Sequence, residues 1–331
     1  MELIVIGATS NICKIRVFEN LNQIHESIKK IICVSRKNYS QEEWQEYLRS
    51  LDIKEPNLLE KVNYLQCPYQ LSDYQQKLAP LVNKDTVVYV STPPCCYQEL
   101  IEFINYIDKG TLVLEKPLSL TYQQYLDFKP SISPRIQMID HFLYKLDVQK
   151  MITEFQGPLN SIHFRFLYTD DVEKRLGYFD QTGFFIDMFQ SHFLSILYCL
   201  IQDEIDILKK ADIEIDRKQY DNYGGQNPEA DTYFYLKISY GEKVFIFEAG
   251  KSMGELCKEI IVNGQTHSIS DYQNEYSIFF QKLHANNNLV FRQETFWEIT
   301  EYIKNYFTEI EYYPKNGYSG TLEEESQILM F

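Results

Sequence analysis

Residues 1–11, MELIVIGATSN, decide how the first part of the chain folds. The short apolar run 3–6 predicts a buried strand, because Gly7 interrupts it with a residue suited to a tight turn. Apolar side chains at helical spacing over residues 11–23 predict a helix directly after the turn. Backbone N–H groups at such a helix start can bind a pyrophosphate, so the stretch is a candidate dinucleotide site. Since Ser10 stands where a second glycine is usual, an ordinary strand–helix turn is the alternative.

Apolar strands alternate with helices through the first 145 residues. Further strands are predicted at 31–34, 86–90 and 111–114, and further helices at 41–51 and 97–107. Ser40 and Glu43 form a capping-box pattern at the start of the helix 41–51. This alternation predicts an α/β Rossmann domain, with a doubly wound parallel sheet, over residues 1–145. Ligands of such sheets bind at the carboxyl ends of the strands.

The pattern changes in the rest of the chain. Strands are predicted at 161–167, 231–240, 243–248 and 259–262, and helices at 184–201 and 293–307. The alternating strand 161–167 is typical of a sheet that is covered on one face. Residues 146–331 are therefore expected to form an α+β substrate domain with a large, mainly antiparallel sheet.

Composition narrows the classes of partner and compartment. The formal net charge of −15 disfavours nucleic acid and anionic membranes, so an anionic substrate needs a local basic site. The seven cysteines show no zinc-type spacing with histidines, which favours reduced thiols and no bound metal. Neither a signal peptide nor an apolar run of the ~20 residues that span a bilayer is evident. We expect a cytoplasmic protein.

The end of the second strand bears on the choice of cofactor. An acidic residue there would favour NAD, whereas this chain has Ser35, Arg36 and Lys37. A basic residue at that place suits the 2′-phosphate of NADP. The alternative is that the two cations are ordinary solvated surface residues.

Five segments resemble, in the same order along the chain, motifs of the glucose-6-phosphate dehydrogenase family. They are residues 113–118 (VLEKPL), 139–145 (IDHFLYK), 177–192, 250–253 (GKSM) and 316–320 (NGYSG). The resemblance spans nearly the whole chain, although the chain is shorter than the usual member. It implies an NADP-dependent dehydrogenase, with NAD as the alternative cofactor. Its substrate would be glucose 6-phosphate or a related hexose phosphate, oxidised at C1 to the lactone.

The resemblance also implies a catalytic set. Oxidation of an alcohol requires a base for the hydroxyl proton, and a neutral histidine suits that role near pH 7. His192 matches the family's base, and Asp140 matches the acid that orients and stabilises its imidazole. Lys116 matches a lysine that contacts both substrate and cofactor. His192 on its own could instead be a core histidine of an apolar helix.

Substrate and cofactor residues follow from the same motifs. The matched substrate-binding positions are His141, Lys145, Asp187 and Lys251, and the matched cofactor-binding positions are Gly7, Thr9, Arg16, Arg36 and Lys116. His141 and Lys145 are four residues apart and would point the same way on a helix. Asp187 and His192 would lie about 140° apart on an α-helix, bordering a cleft rather than sharing a stripe. Leu256 stands where a further cation is expected.

Two other functions stay open at this point. The protein could oxidise another carbon of a sugar or cyclitol in a specialised biosynthetic pathway, because the Glu-Lys-Pro motif also occurs in related sugar dehydrogenases. It could also be a non-catalytic NADP-binding regulator. In each case the expected partner is a small molecule, with no nucleic acid and no membrane. Family members commonly form homodimers through the substrate-domain sheet, which residues 231–262 would supply here.

Overall fold

The computed structural model describes residues 1–51, 53, 55–271, 274–283 and 287–319. The chain divides into two compact units, Met1–Tyr144 with Asn274–Gln293, and Lys145–Gln273 with the chain from Glu294 onward. The strands are β1 (Glu2–Ile6), β2 (Lys30–Ser35), β3 (Val62–Gln66), β4 (Thr86–Val90), β5 (Thr111–Glu115), β6 (Ile136–Ile139), β7 (Ser161–Leu167), β8 (Asp212–Tyr220), β9 (Tyr233–Tyr240), β10 (Lys243–Gly250), β11 (Cys257–Val262), β12 (Gln265–Ser268) and β13 (Glu311–Tyr313).

Helices of three kinds join these strands. The α-helices are α1 (Phe18–Gln23), α2 (Gln41–Ser50), α3 (Pro56–Leu59), α4 (Leu71–Asp73), α5 (Tyr97–Ile107), α6 (Tyr122–Phe128), α7 (Leu146–Glu154), α8 (Leu176–Phe185), α9 (Leu194–Ile201), α10 (Glu275–Gln281) and α11 (Asn287–Lys304). Wider π-helical segments are Cys13–Val17, Tyr74–Leu78 and Ile186–Phe193. Short 3₁₀ segments are His25–Ser27, Ala79–Leu81, Pro94–Cys96, Lys129–Ser131, His141–Tyr144, Glu173–Arg175 and Gln202–Lys210.

The first unit contains a six-stranded parallel sheet in the order β3-β2-β1-β4-β5-β6. The order reverses at β1, which confirms the predicted doubly wound Rossmann sheet. All five residues of β4 are buried, as expected for a strand covered on both faces. The sequence analysis did not predict β3 and β6. In β3 only Val62 is buried, so its sequence lacks the apolar run that marks the other strands.

The second unit contains a seven-stranded sheet in the order β12-β11-β7-β10-β9-β8-β13. Its pairs are antiparallel except for β7 with β10 and β8 with β13, which confirms the mainly antiparallel prediction. Side chains of β7 alternate between buried and partly exposed. On the buried face, the ring of Phe164 stacks on those of Phe193 and Phe247, with ring centroids 4.8 Å and 5.4 Å apart.

The long helical stretch of the second unit is broken at Gly183. This glycine has φ +63° and ψ +173°, and an added Cβ would collide with the carboxylate of Asp231. That carboxylate accepts from the N–H groups of Phe184 and Phe185 at 2.6 Å and 3.0 Å, so it caps a new helix start. The predicted helix 184–201 is therefore correct at both ends. Asp231 was predicted within a strand, but β9 begins only at Tyr233.

By length and composition alone, residues Glu173–Ile201 could cross a membrane. The sequence analysis found no apolar run of the ~20 residues that span a bilayer. Within the protein, 83% of the most apolar window is buried, which is typical of a core helix.

Candidate active site

In the turn after β1, the backbone at Gly7 lies close to the backbone at Ser91. Gly7 has φ +80°, and an added Cβ would lie 2.8 Å from the carbonyl carbon and oxygen of Ser91. The N–H groups of Gly7 and Ala8 both donate to the carbonyl of Val34, at 3.0 Å and 3.1 Å. The Oγ of Ser10, which stands where a second glycine is usual, accepts from the N–H of Cys13 at 3.2 Å in the first turn of the helix. Thr9 lies in this turn, half-buried.

Two arginines were predicted to bind the cofactor, and their surroundings differ. Arg36 is exposed directly after β2, and its guanidinium lies 5.2 Å from the ring centre of Tyr69. Arg16 is half-buried and donates to the carboxylate of Glu275 on α10 at 2.6 Å. Arg36 is thus open to solvent at the carboxyl edge of the sheet, whereas Arg16 is engaged in holding α10.

The Glu-Lys-Pro motif lies at the end of β5. Lys116 is half-buried, and its N–H donates to the carbonyl of Ile139 at the end of β6. Register pairs Glu115 with Ile139, so Lys116 and Asp140 occupy corresponding positions just past two neighbouring strands. The structure therefore brings these two predicted residues to one edge of the sheet.

Glu115 is a buried carboxylate that the sequence analysis did not single out. Its Oε1 accepts from the hydroxyls of Tyr89 at 2.5 Å and Tyr276 at 2.9 Å. Burial raises the pKa of Glu115 to about 7, although these hydrogen bonds and the charge of Lys116 oppose the shift. Glutamate and lysine are adjacent in the sequence, but only the fold encloses the glutamate in tyrosines.

Asp140 directly follows β6, and His141 begins the short 3₁₀ segment after it. The Oδ1 of Asp140 accepts from the N–H of Phe142 at 3.0 Å, and the Asp140 side chain is fully buried. The ring of His141 lies nearly parallel to that of Tyr276, with centroids 6.0 Å apart. The 3₁₀ segment ends at Tyr144 and Lys145 has ψ +133°, so the helical spacing considered for His141 and Lys145 does not apply.

In the second unit, Asp187 and His192 lie on the π-helical segment Ile186–Phe193. A π-helix bonds residues five apart, so the two side chains approach one face more closely than the α-helical angle of about 140° predicted. The expectation of an α-helix was wrong here. Both residues are buried, and the hydroxyl of Tyr178 donates to Oδ1 of Asp187 at 2.8 Å. Burying a polar group costs free energy unless it is hydrogen-bonded, and the hydroxyl of Tyr178 provides such a bond for Asp187.

A cluster of lysines surrounds Tyr168 in the same unit. The Nζ of Lys251 lies 4.1 Å from the ring centre of Tyr168 and 2.7 Å from Oδ2 of Asp170. Burial lowers the pKa of Lys251, and Asp170 opposes that shift. Lys258, which the sequence analysis missed, has its Nζ 4.7 Å from the same ring. Leu256, where a further cation was expected, is exposed.

The segment 316–319 contacts the residue that follows Lys251. Asn316, in the segment 316–320, forms two hydrogen bonds with Ser252. Its N–H donates to the Ser252 carbonyl, and its Oδ1 accepts from Ser252 Oγ at 2.9 Å. Gly320 lies outside the described residues. The late glycine-rich segment therefore packs beside the Gly-Lys strand end.

A doubly wound parallel sheet of this order is typical of dinucleotide-binding domains, whose ligands bind at the carboxyl ends of the strands. A family model described as "Glucose-6-phosphate dehydrogenase, NAD binding domain" matches residues 4–150. The chain is therefore similar to the glucose-6-phosphate dehydrogenase family, and the match to the family model lies in residues 4–150.

Three relatives illustrate the similarity. The chain is 26% identical over 295 residues to glucose-6-phosphate 1-dehydrogenase of Encephalitozoon cuniculi, covering 79% of this chain and 67% of the relative. It is 25% identical over 269 residues to the cytoplasmic isoform 6 of Arabidopsis thaliana, covering 66% and 52%. A solved glucose-6-phosphate dehydrogenase in complex with glucose 6-phosphate shares the fold, with a TM-score of 0.79, 16% identity and coverage of 99% and 96%. The chain spans 49% to 67% of the length of the first five curated relatives.

Proposed function

We propose that the protein oxidises glucose 6-phosphate, or a related hexose phosphate, at C1 to the lactone, with NADP as the cofactor. The observation that carries the proposal is the pair Asp187 and His192, buried on a π-helical segment of an otherwise apolar helix. Residues of this kind at a π-segment often mark functional sites. The similarity to glucose-6-phosphate dehydrogenases supports the reaction class.

The first unit fits a nicotinamide dinucleotide. Gly7 allows a backbone approach that a Cβ would block, and the helix that begins after Ser10 presents the positive end of its dipole, which favours a pyrophosphate. Arg36 is exposed and positively charged at the end of β2, where a 2′-phosphate would be recognised. We assign cofactor binding to Gly7, Thr9 and Arg36, with Lys116 at the nicotinamide end. Arg16 would act indirectly, through its bond to Glu275.

The chemical roles follow from the side chains. The bound cofactor supplies the hydride acceptor for C1. His192 takes the proton from the C1 hydroxyl on an imidazole nitrogen, and Asp140 stabilises the resulting imidazolium. Asp187, held by Tyr178, orients the sugar hydroxyls. His141, Lys145 and Lys251 bind the phosphate, providing the local basic site that this acidic protein needs.

A substrate screen followed at the NADPH absorbance band tests the proposal. We expect turnover of a hexose phosphate with NADP, and less with NAD. His192→Asn should lower kcat by roughly 10²- to 10⁴-fold while the circular dichroism spectrum is unchanged. Undetectable turnover across hexose phosphates by the folded protein would refute it, and tight NADP binding without turnover would favour a regulator. NMR of the product separates oxidation at C1 from oxidation at another carbon.

We also propose that the protein is a cytoplasmic homodimer that pairs through the seven-stranded sheet. Support comes from the cytoplasmic name of the Arabidopsis relative and from the width of that sheet. Analytical ultracentrifugation should give about twice the chain mass of 39.3 kDa. A monomer at micromolar concentration would contradict the pairing.

A further inference from the structure

We propose that Lys258 is a further phosphate-binding residue, and that Asp170 and Asp271 are exchangeable counter-ions that occupy the phosphate site in its absence. The inference rests on the proposed function, because it adds a specificity-determining cation to the same substrate site. Its ligand class is a phosphate monoester dianion.

The first support is the placement of two ammonium groups on one aromatic ring. Lys251 follows β10 and Lys258 lies near the start of β11, yet the Nζ of each approaches the ring of Tyr168 within 5 Å. Cations gain from the ring quadrupole at this distance. The ring of Tyr168 thus helps to keep two positive charges close together. A phosphate dianion needs such a pair of cations, whereas a lysine with a purely structural role does not.

The second support is a third lysine, Lys145, that bonds to the same residue as Lys258. The Nζ of Lys145 donates to the carbonyl oxygens of Ser270 and Asp271, each at 2.6 Å. Lys258 forms an ion pair with the side chain of Asp271. Lys145 and Lys258 therefore both contact Asp271, and Lys258 and Lys251 both contact the ring of Tyr168.

The third support is the contrast in exposure between the cations and their carboxylates. The side chains of Lys251 and Lys258 are 12% and 14% exposed, whereas those of Asp170 and Asp271 are 69% and 52% exposed. The carboxylates thus lie on the solvent side of the lysines. A carboxylate that stays mostly hydrated gains little free energy from its ion pair, so a dianion with three acceptor oxygens can displace these carboxylates at small cost.

Binding of inorganic phosphate, measured by titration calorimetry, tests the inference without any need for turnover. Lys258→Gln should weaken phosphate binding roughly tenfold, because it removes one charge-assisted contact. Lys258→Arg should retain most of the affinity. Asp271→Asn should strengthen binding by roughly threefold, because it removes a competing charge. In kinetics, Lys258→Gln should raise KM for glucose 6-phosphate, with kcat and the activity on unphosphorylated glucose nearly unchanged.

Lys243 is the matched control. It lies at the other end of β10 and pairs with Glu204 at 2.8 Å, and among the described residues no aromatic ring forms a cation–π contact with it. If Lys243→Gln and Lys258→Gln weaken phosphate binding equally, the effect is general electrostatics and the inference fails. If hexose phosphates are turned over but Lys258→Gln binds phosphate normally, the inference fails and the proposed function stands. If no sugar is turned over but phosphate binding follows Lys258, the proposed function fails and the inference stands.

Discussion

Replacing Asp231 with alanine should unfold the start of the helix that carries Asp187 and His192. Its carboxylate accepts from the N–H groups of Phe184 and Phe185 and pairs with Arg217 at 2.9 Å. Loss of an N-cap costs about 1 kcal/mol. Removing one partner of a buried ion pair costs a further 3–5 kcal/mol or so, because the other charge stays buried. We therefore expect the free energy of unfolding of the second unit to fall by roughly 4–6 kcal/mol.

Urea denaturation followed by circular dichroism measures this loss, and hydrogen exchange at Phe184 and Phe185 shows whether it begins at the cap. Asp231→Asn is the matched variant, since asparagine caps equally well but carries no charge. The Asp231→Asn variant should lose only the part of the unfolding free energy that comes from the ion pair with Arg217. Arg217→Met combined with Asp231→Asn should recover part of the stability, because no unpaired charge remains. A loss below about 1 kcal/mol for Asp231→Ala, or unchanged exchange at both amides, would refute the reasoning.

Three further predictions concern the first unit. Because the folded pKa of Glu115 is raised to about 7 from 4.5, its stabilising effect is complete below pH 4.5 and is lost as the pH rises to about 7. The unfolding free energy of the unmodified protein should fall over that window by up to about 3 kcal/mol relative to Glu115→Gln, and parallel pH curves would contradict this. Gly7→Ala should weaken NADPH binding and lower the Tm more than Gly157→Ala does. Both glycines have positive φ, but of the two only Gly7 has backbone atoms of another segment beside it. Equal decreases in Tm for the two variants would refute the close approach. Arg36→Ala should raise the Kd for NADP roughly tenfold or more in a fluorescence titration and leave the Kd for NAD unaffected. Arg16→Ala should mainly lower the Tm, because it removes the ion pair with Glu275. If Arg16→Ala weakens NADP binding and Arg36→Ala does not, the two assignments are wrong.

Local sequence was sufficient for elements with a strong pattern of their own. The strands at 86–90 and 161–167 and the helix at 97–107 agree with the structure at both ends. The capping box of Ser40 and Glu43 is present as predicted. Each of these depends on residues a few positions apart, so short-range spacing is enough to specify them.

The site was accessible from the sequence only in part. Family motifs identified His192, Asp140 and Lys116 as chemical candidates, but neighbouring residues do not reveal the π-helical geometry around His192. Lys258 carried no signal at all, because an isolated lysine on a strand is ordinarily a surface residue. Nothing near residue 275 marked α10 as part of the first unit.

The sequence by itself determined the chemistry that is present: the glycine turn at Gly7, the basic residues after β2, and the histidine and carboxylates of the family's motifs. The tertiary structure alone decided how long-range neighbours modify that chemistry. Burial in the packed chain raises the pKa of Glu115 against the opposing hydrogen bonds of Tyr89 and Tyr276. Asp231 accepts from the N–H of Phe184, 47 positions earlier, and so begins a helix there. The physical reason is that burial and hydrogen bonding are properties of the packed chain, and residues far apart in sequence become partners only when the sheets have formed.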